Sequence, residues 1–394
     1  MSCQVRTGDY LTLYTRFSET FDLRQLTQEF DQARGEIDPH ALLPDAYVTE
    51  LRRHALVQSV HYSTRIEGNT LSQDQVNSLM AGSVVGATTR EVQEVQNYRE
   101  ALSYARRMFL DQTSPITSET LRTVHFLVSK GLDDRDYAPG HYRTAQNFVI
   151  DRYSHRRLYL PPPPDRLPGL MDELIEWINS REPLHPAYRA GLAHLNLVAI
   201  HPFSDGNGRT ARVLETLVMY RHGYRDVDLV SLEAYFGRDT QTYYRAIRDS
   251  LGPTYEPTRG NVQRWLEYYV DAQVVQARAT LDNMRLFEAQ MSALEQQFAV
   301  SEVGALALWL ASLHGAVTNI QLRESANLSR GRISILLTRL ATEGFLIKEG
   351  RARSVRYIPS PAVFEAFTNA ETEHELSLLS TPFDEPLLPP SHPL

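Results

Sequence analysis

The chain has 394 residues, 42% hydrophobic and 22% charged, with a net charge of −8; that length supports a sizeable core and two or three domains. The acidic balance argues against non-specific nucleic-acid binding by the whole chain, though not by one region of it. Cys3 is the sole cysteine, which excludes an intrachain disulfide or a thiolate metal cluster; with no span-length apolar run and no basic-then-apolar leader, the expected location is cytoplasmic, with no membrane partner.

Residues up to about Pro44 show no clear period and carry no assignable chemistry. From about Asp45 to Glu67 the pattern is helical, and Gly68-Asn69 supplies a stop. Stepping back from Glu67 by four, seven and eleven residues reaches Ser63, Val60 and Leu56, so this acid extends an inward-facing stripe. Leu71 to Leu110 reads as a second helical region used for packing, and Thr117 to Lys130 as a helix with Thr117 or Ser118 as N-cap. Gly140-His141-Tyr142-Arg143 is followed by two β-prone runs, Asn147 to Ile150 and Arg157 to Leu160, read as a hairpin closed by the stiff Pro161 to Pro164. An edge strand there could bind an extended peptide by strand addition or simply cover the core. Leu167 to Asn179 and Pro186 to Ile200 are helices; His194, inside the second, reads as a hydrogen-bonded core histidine.

His201 to Arg212 is the densest stretch. Pro202, Gly206 and Gly208 forbid helix through its first half, whereas Thr210 to His222 contains no Gly or Pro, so a tight loop opens a helix. A helix start presents unpaired N–H groups and the positive end of the macrodipole, and the glycines let a phosphate approach the main chain. The helix start with Gly206 and Gly208 is therefore an anion cradle. Arg209 and Arg212 share a face and suit a polyphosphate; Asp205 is a hard oxygen ligand suited to Mg²⁺; neutral His201 can take a proton from an attacking hydroxyl. A zinc site on His201 and Asp205 lacks a third ligand at motif spacing. Gly223 closes the following helix, Tyr243-Tyr244 lies further on, and Asn261 to Phe298 reads as a connecting helix or helical pair. Thr318 to Ala326, Ser329 to Gly344 and Phe345 to Ile358 read as helix, helix and hairpin, the order of a winged helix-turn-helix. Ser329 to Arg356 holds seven basic residues against Glu343 and Glu349, with Arg330 and Arg332 early on the second helix and Arg351, Arg353 and Arg356 on the wing. DNA docking, protein docking and pairing of two copies of the chain are all open to such a module.

The central stretch resembles the signature of the Fic (filamentation induced by cAMP) family, H-x-F-x-D/E-G-N-G-R-x-x-R, and matches every fixed position. The resemblance implies a helical fold and transfer of AMP from ATP to a Ser, Thr or Tyr hydroxyl of a target protein, and of the chain itself. It implies His201 as general base, Phe203 as a buried anchor, Asp205 as the Mg²⁺ ligand, Gly206, Asn207 and Gly208 as the anion hole, and Arg209 and Arg212 as the phosphate clamp. Ser63 to Gly68 resembles the family's inhibitory motif, S/T-x-x-x-E-G/N, which implies that Glu67 pairs with Arg212 and blocks the γ-phosphate. Gly140 to Arg143 and the hairpin resemble the family's flap, and Tyr243 and Tyr244 resemble aromatics that stack on adenine.

The expected architecture is mainly α, a Fic helical core with a short β-hairpin flap plus a C-terminal winged helix-turn-helix. Its boundaries are 1–115 for the N-terminal helices, 116–260 for the core, 261–298 for the connector, 299–360 for the winged helix and 361–394 for a partly disordered tail. A DNA-binding regulator whose nucleotide site only senses is the rival from another class; transfer of a different phosphate-linked group is the rival within it.

Overall fold

In the computed structural model, the described residues are 3–5, 10–37, 43–108, 114–132, 138–150, 156–224, 228–326, 328–351 and 354–380. They form two compact units, one of residues 1–39 and 51–279, the other of residues 40–50 and 280–394. Among the described residues, no helix is long and apolar enough to cross a membrane.

The first unit opens with an antiparallel strand pair, β1 (Cys3–Val5) and β2 (Phe17–Glu19), and helix α1 (Phe21–Glu36). Helix α2 (Asp45–Ile66) has residues in both units and ends at Gly68, whose φ of 98° lies in the left-handed region. The single helical region expected between Leu71 and Leu110 is two helices, α3 (Gln73–Met80) and α4 (Thr89–Met108), because Gly82 at φ 87° breaks the run. Helix α5 (Ser118–Ser129) starts on Thr117, whose side chain exchanges bonds with Thr120 in a capping box. The flap strands β3 (Val149–Ile150) and β4 (Arg157–Tyr159) pair antiparallel, and residues 151–155 between them lie outside the described residues.

Helices α6 (Leu167–Asn179), α7 (Pro186–Ile200) and α8 (Asn207–Arg221) follow, then α9 (Leu232–Arg238), α10 (Thr240–Leu251) and the 36-residue α11 (Gln263–Phe298). Helix α7 is the hub because it is apolar nearly all round: Ala190, Leu192, Ala193, Leu195, Leu197 and Ala199 are fully buried. Gly191 lets α11 come close, since a Cβ there would stand 2.7 Å from the Tyr269 ring, and Trp265 Nε1 donates to the Gly191 carbonyl at 2.7 Å. Fully buried Arg189 reaches the end of α6, where Nη1 and Nη2 donate to the carbonyls of Trp177 and Glu182 and to the Ser180 hydroxyl.

In the second unit, α12 (Glu302–His314) precedes α13 (Asn319–Ala326), α14 (Arg330–Thr342) and the hairpin of β5 (Leu346–Glu349) and β6 (Arg356–Pro359). Its core gathers Leu306, Leu310, Leu322, Ile333, Leu337 and Leu346. Expected wing residue Arg353 lies outside the described residues. The tail expected from Pro361 onward is corrected: Pro361–Ser380 is a helix, α15, whose Val363, Ala366, Phe367 and Ala370 are buried, and residues 381–394 lie outside the described residues.

Candidate functional site

Helix α7 passes into the signature loop through His201, which takes a left-handed backbone (φ 50°, ψ 56°). A non-glycine residue there costs on the order of 1 kcal/mol and persists only where its surroundings hold it. They do. The His201 amide donates to the Leu197 carbonyl at 2.9 Å, its carbonyl accepts from Arg143 Nε at 2.9 Å, and the Arg143 amide donates to the Pro202 carbonyl at 2.9 Å. Buried Arg143 spends its remaining nitrogens on the Ala145 and Pro162 carbonyls, so the Gly140 to Arg143 segment is tied to the loop from both sides.

The His201 ring donates from Nδ1 to the Val198 carbonyl at 3.2 Å, which leaves Nε2 with its lone pair. Burial pulls its pKa down to about 4, with Arg143 adding to the effect and the Val198 bond opposing it. The imidazole is therefore neutral and able to accept a proton at pH 7. Phe203 is fully buried and stacked on His125, with centroids 3.7 Å apart and planes 2° apart. Asn207 locks this bend: its Oδ1 accepts from the Phe203 amide at 3.0 Å and its Nδ2 donates to the Phe203 carbonyl at 2.9 Å.

Gly206 at φ 75° caps the start of α8. Gly208, one residue into the helix, has no room for a side chain, because a Cβ would lie 2.8 Å from Glu67 Oε1 and 3.3 Å from Arg212 Nη1. The carboxylate thus hangs over the first turn of α8. Arg212, fully buried, donates from Nε to Ser63 Oγ at 2.8 Å, and from Nη2 to the Ser63 carbonyl at 3.2 Å and Glu67 Oε1 at 2.8 Å. Burial alone would lower the Arg212 pKa; the Glu67 carboxylate, with Tyr243 and Tyr98 beside it, turns the net shift upward. Arg209 is also buried; it donates to Asp205 Oδ2 at 3.2 Å and to the Val128 carbonyl at 3.4 Å. The Asp205 side chain is 35% exposed beside this helix start. Among the described residues no three His, Cys, Asp or Glu side chains gather, so a cation at Asp205 would draw its other ligands from a nucleotide and water.

Residues 115–219 match the Fic/DOC family model. The chain carries a Fic domain. Relatives named protein adenylyltransferase Fic share 31% identity in Nematostella vectensis, over 64% of this chain and 57% of that one, and 32% in Culex quinquefasciatus, over 55% and 45%. The chain thus spans about half the length of the curated relatives it matches. In fold it is similar to a crystal structure of a Fic family protein from Desulfovibrio desulfuricans G20, with a TM-score of 0.60 and 24% identity over 87% of this chain and 97% of that one.

Within the Fic domain the flap borders the loop. Asn147 Nδ2 donates to the Phe203 carbonyl at 3.3 Å, and the Tyr159 hydroxyl donates to the Ala199 carbonyl at 2.9 Å, anchoring β4 on α7. The two tyrosines expected at adenine part company. Tyr243 is corrected to a core residue: it is 1% exposed, stacked on Phe236, and its hydroxyl meets His194 Nε2 at 2.9 Å. Tyr244 is 49% exposed and donates to the Ile66 carbonyl at 3.3 Å, at the end of α2. His194 is fully buried, 2.5 Å from Glu215 Oε2. Burial raises the Glu215 pKa and lowers that of His194, so both are neutral, the carboxyl donating to Nδ1 and Nε2–H donating to Tyr243.

Sequence reasoning missed His125. Its Nδ1 accepts from the Gly140 amide at 2.9 Å, which makes Nε2 the donor to the Asp205 carbonyl at 2.9 Å. The one available signal was a polar ring on the face of α5 that Leu121, Val124 and Val128 turn inward.

Proposed function

We propose that this chain is a protein adenylyltransferase, moving AMP from ATP to a Ser, Thr or Tyr hydroxyl of a target protein and of itself. The observation that carries the reading is Arg212, a fully buried guanidinium beside a glycine-bared helix start, held by a carboxylate where a phosphate oxygen could bind. The names of the relatives at 31–32% identity support it.

In this reading the target hydroxyl gives its proton to His201 Nε2 as its oxygen bonds to the α-phosphorus. The bond from that phosphorus to the bridging oxygen of the β-phosphate breaks, and pyrophosphate leaves. The amides at the start of α8 take up charge on the α- and β-phosphates, and Arg209 and Arg212 hold the tail. Mg²⁺ fits Asp205, a partly exposed carboxylate of the kind that completes its shell with phosphate oxygens and water, and when bound it neutralises charge on the phosphates. Glu67, on Arg212 already, is autoinhibitory: carboxylate and γ-phosphate compete for one guanidinium. Tyr244 is the aromatic open enough to meet a base. β3–β4 aligns the target's backbone beside His201.

Mass spectrometry of Glu67→Gly after incubation with Mg²⁺-ATP tests this. An added AMP mass that exceeds the parent's and vanishes with His201→Ala is expected; no AMP on either the chain or added proteins would overturn it.

A second reading concerns the other unit, as a winged helix-turn-helix that docks DNA. It is favoured by the outer face of α14, where Arg330, Arg332, Ser334, Ile335 and Thr338 are exposed. Arg339 and Arg356 add less charge than the sequence suggests, being paired with Glu343 and Glu349 at 2.8 Å. A gel shift at rising salt, run beside the transfer assay, tests it.

A further inference from the structure

His125 stands outside the signature, on a different helix, yet every polar atom of its ring is engaged with the site. Its tautomer follows from its partners. The Gly140 amide has only a proton to offer, so Nδ1 is the acceptor; the Asp205 carbonyl has only lone pairs, so Nε2 carries the hydrogen. The ring is 2% exposed and lies flat on Phe203, 3.7 Å between centroids. A Cβ on Gly206 would stand 3.4 Å from Nε2, so the bend before α8 is fitted closely around this ring. Both nitrogens being spent, His125 cannot shuttle a proton for a substrate.

What it holds together is more telling. The Asp205 carbonyl belongs to the bend between His201 and the helix start; Gly140 begins the segment whose Arg143 grips the His201 carbonyl. Gly140 is pinned a second time by α5, since Arg122 Nε donates to its carbonyl at 2.7 Å. One ring on α5 therefore ties the two chain segments that set the base and the first amides of α8.

We propose that His125 is a positioning residue for AMP transfer, bridging the Gly140 amide and the Asp205 carbonyl so that His201 and the α8 amides keep their mutual geometry. This rests on the adenylyltransferase reading. It predicts an effect on turnover more than on nucleotide binding, because Arg212, which holds the phosphate tail, is fixed by Ser63 and not by the bend that His125 anchors. A small misplacement of reacting groups costs on the order of ten- to hundredfold in rate.

The test uses the full chain in the Glu67→Gly background. His125→Phe keeps the flat stack on Phe203 and removes both hydrogen bonds; His125→Gln can restore a donor at the Nε2 position. Phe should lower kcat for AMP transfer by roughly ten- to hundredfold with KM for ATP little changed, and Gln should recover a large part of the loss. Amide hydrogen exchange is read on the same proteins: residues 138–143 and 203–208 should exchange faster in the Phe variant, with the interiors of α7 and α8 unchanged. Turnover of the Phe variant equal to its parent, a Gln variant no better than Phe, or exchange that rises uniformly through α7 and α8 would each overturn the proposal. An inactive Glu67→Gly parent would instead sink the adenylyltransferase reading, and the exchange pattern alone would then decide whether His125 sets the loop.

Discussion

Glu67→Gln is the most informative single change, because it keeps the size of the side chain and removes only its charge. Glu67 Oε1 lies 2.8 Å from Nη2 of a guanidinium with no exposure, while the Glu67 side chain itself is 23% exposed. Unit charges about 4 Å apart attract by about 4 kcal/mol at an effective dielectric constant near 20. The amide keeps a hydrogen bond, Ser63 keeps two bonds to Arg212, and solvent screens the exposed part, so a loss of about 1–3 kcal/mol is expected. Where carboxylate and triphosphate compete for Arg212, the same energy returns as tighter nucleotide binding, roughly five- to hundredfold at 1.4 kcal/mol per decade.

Two measurements with opposite signs follow. Without nucleotide the Gln variant should melt below the parent, since a buried cation has lost its counter-charge; with saturating Mg²⁺-ATP the gap should close or invert, because a ligand stabilises the folded state in proportion to RT ln(1 + [L]/Kd). Calorimetric titration gives the affinity and thermal unfolding the stability. ATP affinity within twofold of the parent, together with unchanged melting, would refute the competition and with it the inhibitory role of Glu67.

The pH profile of transfer should be set by a base titrating near 4, so kcat should hold level from pH 8 to about 5 and fall only as the imidazole gains a proton below that; an apparent midpoint near 6.5, that of an ordinary histidine, would contradict the burial argument. Gly208→Ala puts a methyl group 2.8 Å from Glu67 Oε1 and 3.3 Å from Arg212 Nη1, so the paired carboxylate must give way and stability should fall by about 1–3 kcal/mol, while the close approach of phosphate is lost and ATP affinity, read by calorimetry, falls by roughly tenfold or more. Arg330→Ala and Arg332→Ala should each lower by about 1 the slope of log affinity against log salt in a gel shift if α14 docks on DNA phosphates; an unchanged slope would leave docking to another surface.

What could be read from the sequence was local. The bend and helix start occupy twelve consecutive residues whose types dictate their geometry, so Gly206, Asn207 and Arg212 could be placed before any coordinates. Glu67 and Arg212 lie 145 residues apart, and only the stripe through Ser63 and the family resemblance brought them together. Nothing comparable announces His125: a histidine within an apolar helix looks like core until the stack on Phe203, 78 residues away, is known. Helix α1 escaped notice because its buried face is Leu23, Thr27, Phe30 and Ala33, too weak an apolar stripe to show a period. The proline-rich end of the chain predicts a tail from Pro361 onward, yet the residues before that end form α15, in which Pro361 is harmless as the first residue. Tyr243 failed for the opposite reason, since helical spacing cannot distinguish an aromatic that faces a ligand from one that fills the core.

The contacts of α2 bear on how an inhibited state of this kind could open. Ser59, Ser63 and Glu67 repeat every four residues on one face. Ser59 Oγ donates to Glu233 Oε2 at 2.8 Å, and Glu233 also accepts from the Tyr98 and Ser231 hydroxyls, all of it buried. Withdrawing the whole helix would strip these groups of partners inside the protein, at about 1–3 kcal/mol for each one left unsatisfied. The last turn is different. Glu67 is partly exposed, and its partner Arg212 would gain a phosphate oxygen in exchange. Under the autoinhibited reading proposed above, the cheaper motion is a swing of the Glu67 side chain about a turn that Ser59 and Ser63 keep in place.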